Sequence, residues 1–206
     1  MSRCRSLLVS VALLAASSSS AIADLAPAKV EPSALPTKIA AKGKRIVQAW
    51  TWTAKGGPGY LILSTTQKDS KRGTGRQVFA QLYDSASREL RLVRDAVENC
   101  QLDLVVAFVT GSVSVTDIDA DGTPEIAFAY DLDCDAKADG SPRKLIVLEG
   151  KDKHALRGTS RGVDPDDKPV GGEFKRDGFK GAPALAAWAE ARWKELLPVE
   201  AIAVDP

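Results

Sequence analysis

The chain has 206 residues, a length that suits one domain, with 44% hydrophobic and 27% charged residues. Its 28 Lys and Arg against 27 Asp and Glu leave a net charge of +1, which gives no electrostatic case for nucleic acid or an anionic membrane surface as a partner. A single histidine and the lack of any C-x-x-C spacing argue against a structural zinc site.

Residues 1–23 read as a secretory signal peptide. Arg3 and Arg5 form a basic start, Leu7 to Ala16 an apolar stretch, and Ala21-Ile22-Ala23 an A-x-A cleavage site. The stretch is too short to span a membrane, and no later run reaches the length a membrane helix needs. The expectation is a chain located in the periplasm or secreted, with no membrane insertion after cleavage. Cleavage removes Arg3, Cys4 and Arg5 and moves the net charge to −1. Of three cysteines, Cys100 and Cys134 remain. In an exported chain a disulfide between them is expected, and such a bridge contributes about 2–4 kcal/mol. Two buried free thiols are the other reading.

Residues 24–44, rich in Ala, Pro and Lys, read as a flexible leader. Residues 45–198 read as one β-rich domain, and 199–206 as a tail. Ile46 to Thr53 alternates, with Ile46, Gln48, Trp50 and Trp52 on one face. Lys55-Gly56-Gly57-Pro58-Gly59 turns the chain into a second strand, Tyr60 to Thr66. Lys68 to Arg76 reads as a polar loop and Gln77 to Tyr83 as a strand. Arg88 to Glu98 fits either period and is read as strand from its neighbours. Strands follow at Leu104 to Val109, Val113 to Thr116, Ile126 to Leu132, Lys144 to Leu148 and His154 to Arg157. Gly158 to Asp177 reads as a long surface loop. Residues 183–197 form a helix: Pro183 starts it, Pro198 follows it, and Leu185, Trp188, Ala189, Trp193 and Leu196 make one apolar stripe. The expected fold is mainly β (α+β): an antiparallel sheet, sandwich- or propeller-blade-like, with one packed C-terminal helix.

One stretch names a chemistry. Between two β-like runs lies Asp117-Ile118-Asp119-Ala120-Asp121-Gly122-Thr123-Pro124-Glu125, spaced D-x-D-x-D-G-x-x-E. Calcium takes six to eight oxygen ligands at about 2.3–2.6 Å. In a tightly turned loop, alternate residues converge, so Asp117, Asp119 and Asp121 supply three carboxylates. Gly122 allows a backbone that other residues resist. Thr123 would offer its carbonyl and Glu125 would close the site. Position twelve of the count is Phe128, where an EF-hand needs a bidentate Glu, so this is not a complete EF-hand. The other reading is a solvated acidic turn without metal. An oxygen-only donor set selects hard cations, calcium first among them.

On these residues, Ser114 to Tyr130 resembles the calcium loops of FG-GAP and VCBS-type repeats, where the same spacing joins two strands. The resemblance implies Asp117, Asp119, Asp121 and Glu125 as ligands. A wider set, Cys100-x-x-Asp103, the hairpin, Cys134 and His154-Ala155-Leu156-Arg157-Gly158, is similar to a family of exported bacterial proteins. That family carries a single such loop between two cysteines and is loosely labelled with surface polysaccharide biosynthesis. The likeness bears on fold and compartment more than on any reaction.

Other residues have plainer readings. Asp131, Asp133, Asp135 and Asp139 suit a solvated loop, with a share in the same cation site as the other reading; Asp164, Asp166 and Asp167 suit a polar loop. His154 lies in a charged turn and reads as surface, with no partner motif for catalysis. Trp50 and Trp52 suit core packing beneath Trp188 and Trp193; a sugar-stacking platform is the alternative. The expected function is an exported, non-catalytic calcium-binding module with envelope polysaccharide or a periplasmic protein as partner. The alternatives are a secreted glycan hydrolase using Asp or Glu near the loop, and a periplasmic inhibitor or immunity protein.

Overall fold

The computed structural model describes residues 23–135 and 139–198. The expected signal peptide up to residue 22 and the tail 199–206 lie outside the described residues. The first half of the chain contains β1 (Ala23–Asp24), β2 (Ala28–Lys29), a 3-10 turn at Pro32–Ala34, β3 (Arg45–Ala54), β4 (Gly57–Ser70), β5 (Gly73–Tyr83) and β6 (Glu89–Cys100). The second half contains β7 (Val105–Phe108), β8 (Ser114–Asp117), β9 (Glu125–Asp133), β10 (Pro142–Glu149), β11 (Asp152–Thr159), β12 (Arg161–Val163), β13 (Pro169–Gly171), β14 (Phe174–Asp177) and the helix α1 (Pro183–Leu196).

Two antiparallel sheets carry the fold. One runs β2-β3-β4-β5-β6; the other runs β1-β8-β9-β10-β11-β14, with β7 also paired to β9. They face each other as a sandwich. From the first sheet Trp52, Leu61, Leu63, Val78, Leu82 and Val93 meet Phe108, Val115, Ile126, Phe128, Tyr130 and Ile146 of the second. The expectation of a mainly β, antiparallel fold with one C-terminal helix therefore holds. No helix among the described residues is long and apolar enough to cross a membrane.

Strand β9 is the centre of the molecule, because its two faces serve two cores. Ile126, Phe128 and Tyr130 point into the sandwich, while Ala127 and Ala129 point the other way, toward α1. The alanines leave room for the helix, whose Leu185, Ala186, Ala189, Trp193 and Leu196 are buried. β7 and β8 both pair with β9, and between them the loop at Ser112 interrupts the ladder. The Ser112 hydroxyl fills the gap: it accepts from the Ala129 N–H at 3.0 Å and donates to the Ala129 carbonyl at 3.4 Å. Each buried backbone group there keeps a partner.

Several expectations change. Residues 24–44 are not a free leader. Val30, Leu35, Ile39 and Ala41 cover the outer face of the first sheet against Ala49, Ile62 and Tyr83. Burial of these apolar side chains, spaced too irregularly to show a period, is what orders the segment. The polar loop expected at Lys68 to Arg76 is mostly strand: Ser70 pairs with Gly73 around a two-residue turn. Gly158 to Asp177 holds the β12–β13 hairpin and β14, which its Asp, Gly and Pro content hides. A bulge between Ile46 and Gln48 breaks the single face expected for β3. Ile46 packs on the outer side, whereas Trp50 and Trp52 face the sandwich. Trp52 is buried over Gly59, where any Cβ would lie 2.5 Å from the indole. The tryptophans of β3 thus lie in the sandwich core, and Trp188 and Trp193 lie beyond the second sheet.

Cys100 and Cys134 form a disulfide, with Cα atoms 5.3 Å apart. It links the end of β6 in one sheet to the residue after β9 in the other.

Candidate metal centre

The acidic loop joins β8 to β9 at one end of the second sheet. Its carboxylates first shape the loop itself. Asp117 Oδ2 accepts the Gly122 N–H at 3.1 Å, Asp119 Oδ1 the Asp121 N–H at 3.2 Å, and Asp121 Oδ1 the Thr123 N–H at 2.5 Å. Across the mouth, Glu125 Oε2 accepts the Ile118 N–H at 2.8 Å. Gly122 sits at φ +87°, the left-handed backbone for which glycine is suited. Ala120 adopts φ +61° at the loop tip.

These bonds leave ligand oxygens over. Oxygens of Asp117, Asp119 and Glu125 lie within 4.8 Å of one another, and so do oxygens of Asp119, Asp121 and Glu149. Asp117 Oδ1 is buried with no hydrogen-bond partner. Glu125 is 2% exposed, while Asp119 and Asp121 face solvent. Among the described residues, none of Asp117, Asp119, Asp121 and Glu125 makes an ion pair with a basic side chain. Burial pushes the Glu125 carboxyl up to about 7, with Asp119 and Glu149 adding to the shift against the Ile118 N–H. Glu149 is also raised, by burial first and then by Asp119 and Asp121. A site with excess negative charge is one that a cation relieves.

Of the five residues expected as ligands, four carboxylates are brought together in the two overlapping groups. Thr123 is part of the same loop, with its N–H directed at Asp121. Glu149 is the acid that the motif omits. It ends β10, where its register partner is Glu125. The D-x-D-x-D-G-x-x-E spacing contains no signal for it, since only strand pairing brings it near. A cleft of about 340 Å³ opens beside the cluster, lined by Ile118, Asp119, Glu125, Glu149 and the start of α1 at Gly181–Leu185.

The other candidates separate from this centre. Asp131, expected in a solvated patch, is buried and bidentate with Arg143, whose Nε and Nη2 lie 2.7 and 2.8 Å from its two oxygens. Strand alternation places it inward, and the arginine beneath makes that tolerable. Asp164 caps its own turn by accepting the Asp166 and Lys168 N–H groups. His154 is not at the surface but 8% exposed, packed against Phe179 with the rings tilted and their centroids 5.1 Å apart. Trp50, offered as a stacking platform, donates its Nε1–H to Gln48 and lies under Lys29. Trp52 has no face open to a sugar, being 5% exposed.

Comparison with protein-family profiles, curated proteins and solved structures finds no match for this chain.

Proposed function

We propose that this chain is an exported, non-catalytic calcium-binding module of the bacterial envelope, whose cation sets the conformation of the β8–β9 loop. The observation that carries the reading is the convergence of Asp117, Asp119 and Glu125 within 4.8 Å, with Glu125 buried and, among the described residues, no ion pair from a basic side chain to any of them. Oxygen-only donors at that spacing suit a hard cation, and calcium tolerates the irregular geometry best. The FG-GAP and VCBS-like spacing supports the same ion. The disulfide suits an oxidising compartment.

Carboxylates gathered this closely suit shared ligation of one ion better than glycoside hydrolysis. That chemistry places its two carboxyls about 5–10 Å apart on either side of a sugar. The exposed Asp119 and Asp121 and the neighbouring cleft give the module a calcium-dependent contact surface for envelope polysaccharide or a periplasmic protein. The test is a pull-down from envelope extract on the immobilised chain, in calcium and in chelator, with Asp121→Asn as control. The reading expects a polysaccharide or protein retained only by the wild-type chain in calcium. Retention indifferent to calcium would contradict it.

A further inference from the structure

The α1-facing side of the second sheet is apolar in its middle, with the buried Asp131–Arg143 pair at one end and an acidic row at the other. There, direct cross-strand partners form a polar row: Thr116 on β8 faces Glu125 on β9, and Glu125 faces Glu149 on β10. Side chains directly opposite in an antiparallel pair have Cβ atoms about 4.5–5.5 Å apart, and like charges there destabilise the sheet. An oxygen of Glu149 also lies within 4.8 Å of oxygens of Asp119 and Asp121. The sheet therefore brings a further carboxylate against the acidic loop from outside it.

A second observation, independent of the acids, concerns the residue diagonal to Glu149. His154 pairs with Val147, two residues before Glu149 on the same face. It is more than nine-tenths buried, and its Nδ1 lies 2.7 Å from the Gly178 carbonyl oxygen. That contact assigns a ring proton to Nδ1, because a carbonyl only accepts. Nε2 is buried, has no hydrogen-bond partner, and points at Glu149 Oε2 from 4.0 Å. Glu149 is the carboxylate that the structure sets against this nitrogen. Ligating carboxylates are commonly held by such outer partners, which fix their orientation.

We propose that Glu149 is a ligand of the loop cation, supplied by the neighbouring strand, and that His154 is the positioning residue that holds its carboxylate toward the site. The inference rests on the calcium reading above and adds to it: the site is not confined to the loop but spans β8, β9 and β10. Calcium would then tie three strands together, and removing it would loosen the pairing of β10 with β9 as well as the loop.

The experiment is titration of calcium chloride into chelator-stripped protein, with melting of each variant in chelator. Glu149→Gln keeps the side-chain shape and removes the charge. It is expected to weaken calcium binding at least about tenfold and to raise the melting temperature of the metal-free protein, by relieving repulsion from Glu125. A structural role alone would not move the two readouts in opposite directions. Wild-type affinity in Glu149→Gln would overturn the proposal while leaving the loop site intact. No uptake by the wild type would overturn both readings. For His154, the Ala variant is expected to bind calcium more weakly and His154→Gln, which restores a hydrogen-bonding group, to recover part of the loss. Unchanged affinity in the Ala variant would overturn the positioning role.

Discussion

Glu125 and Glu149 face each other as register partners on adjacent strands, one buried and the other half-buried. Two carboxylates so placed repel, and the Asp119 carboxylate pushes both carboxyls further up. The fold concentrates negative charge at one end of its second sheet, beside a loop already shaped by its own aspartates.

The first prediction concerns pH. In the metal-free protein the Glu125 carboxyl is raised from its ordinary 4.5 to about 7, mainly by burial. A raised carboxyl favours the folded state while it is protonated. Its contribution is full below pH 4.5 and is lost as pH rises through about 7. Melting in chelator is expected to fall between pH 5 and pH 7.5. Calcium needs the ionised carboxylate, so its affinity should rise over the same range, with proton release on binding. Calorimetry in buffers of different ionisation enthalpy measures that release.

The disulfide supplies the second. Cys100 and Cys134 join the two sheets and enclose β7, β8, the acidic loop and β9, with a sequence separation of 34. Replacing both with Ser is expected to cost about 2–4 kcal/mol, read from urea unfolding. The variant should still respond to calcium, because the cysteines contribute no ligand.

A third prediction separates the buried ion pair from the metal centre. Arg143 is bidentate to Asp131, and its Nη1 also bonds the Leu196 carbonyl near the end of α1. Arg143→Met alone leaves a buried carboxylate uncompensated, at a cost of about 3–5 kcal/mol. Adding Asp131→Leu should restore much of that stability. Calcium affinity is expected to be unchanged in the double variant, since neither residue lies in the acidic groups.

How much of this was legible in the sequence depended on the range of each interaction. The strands of β3, β5 and β9 are readable from alternation, because one face of each is set by local pattern. The loop is readable because its ligands are spaced within one turn of chain. Glu149 is not, because it reaches the loop only through the β9–β10 register. His154 misled for the same reason: its neighbours Lys151, Asp152 and Lys153 suggest surface, yet β11 turns the ring inward against Phe179. The packing of residues 24–44 is hidden in the sequence because Val30, Leu35, Ile39 and Ala41 follow no period; the sheet they cover orders them. The bulge at Ile46 moves one residue to the other face of β3, which no alternation count reveals.

Thermal melting of the chelator-stripped chain, with and without calcium, tests the central claim most directly. At ~10 mM calcium and a dissociation constant of about 10⁻⁴–10⁻³ M, mass action predicts about 1.4–2.7 kcal/mol of added stability. That corresponds to a rise of about 3–11 °C for a chain of this size. Asp119→Asn and Glu125→Gln should each remove most of the rise. A wild-type melting temperature equal in calcium and chelator would contradict the account.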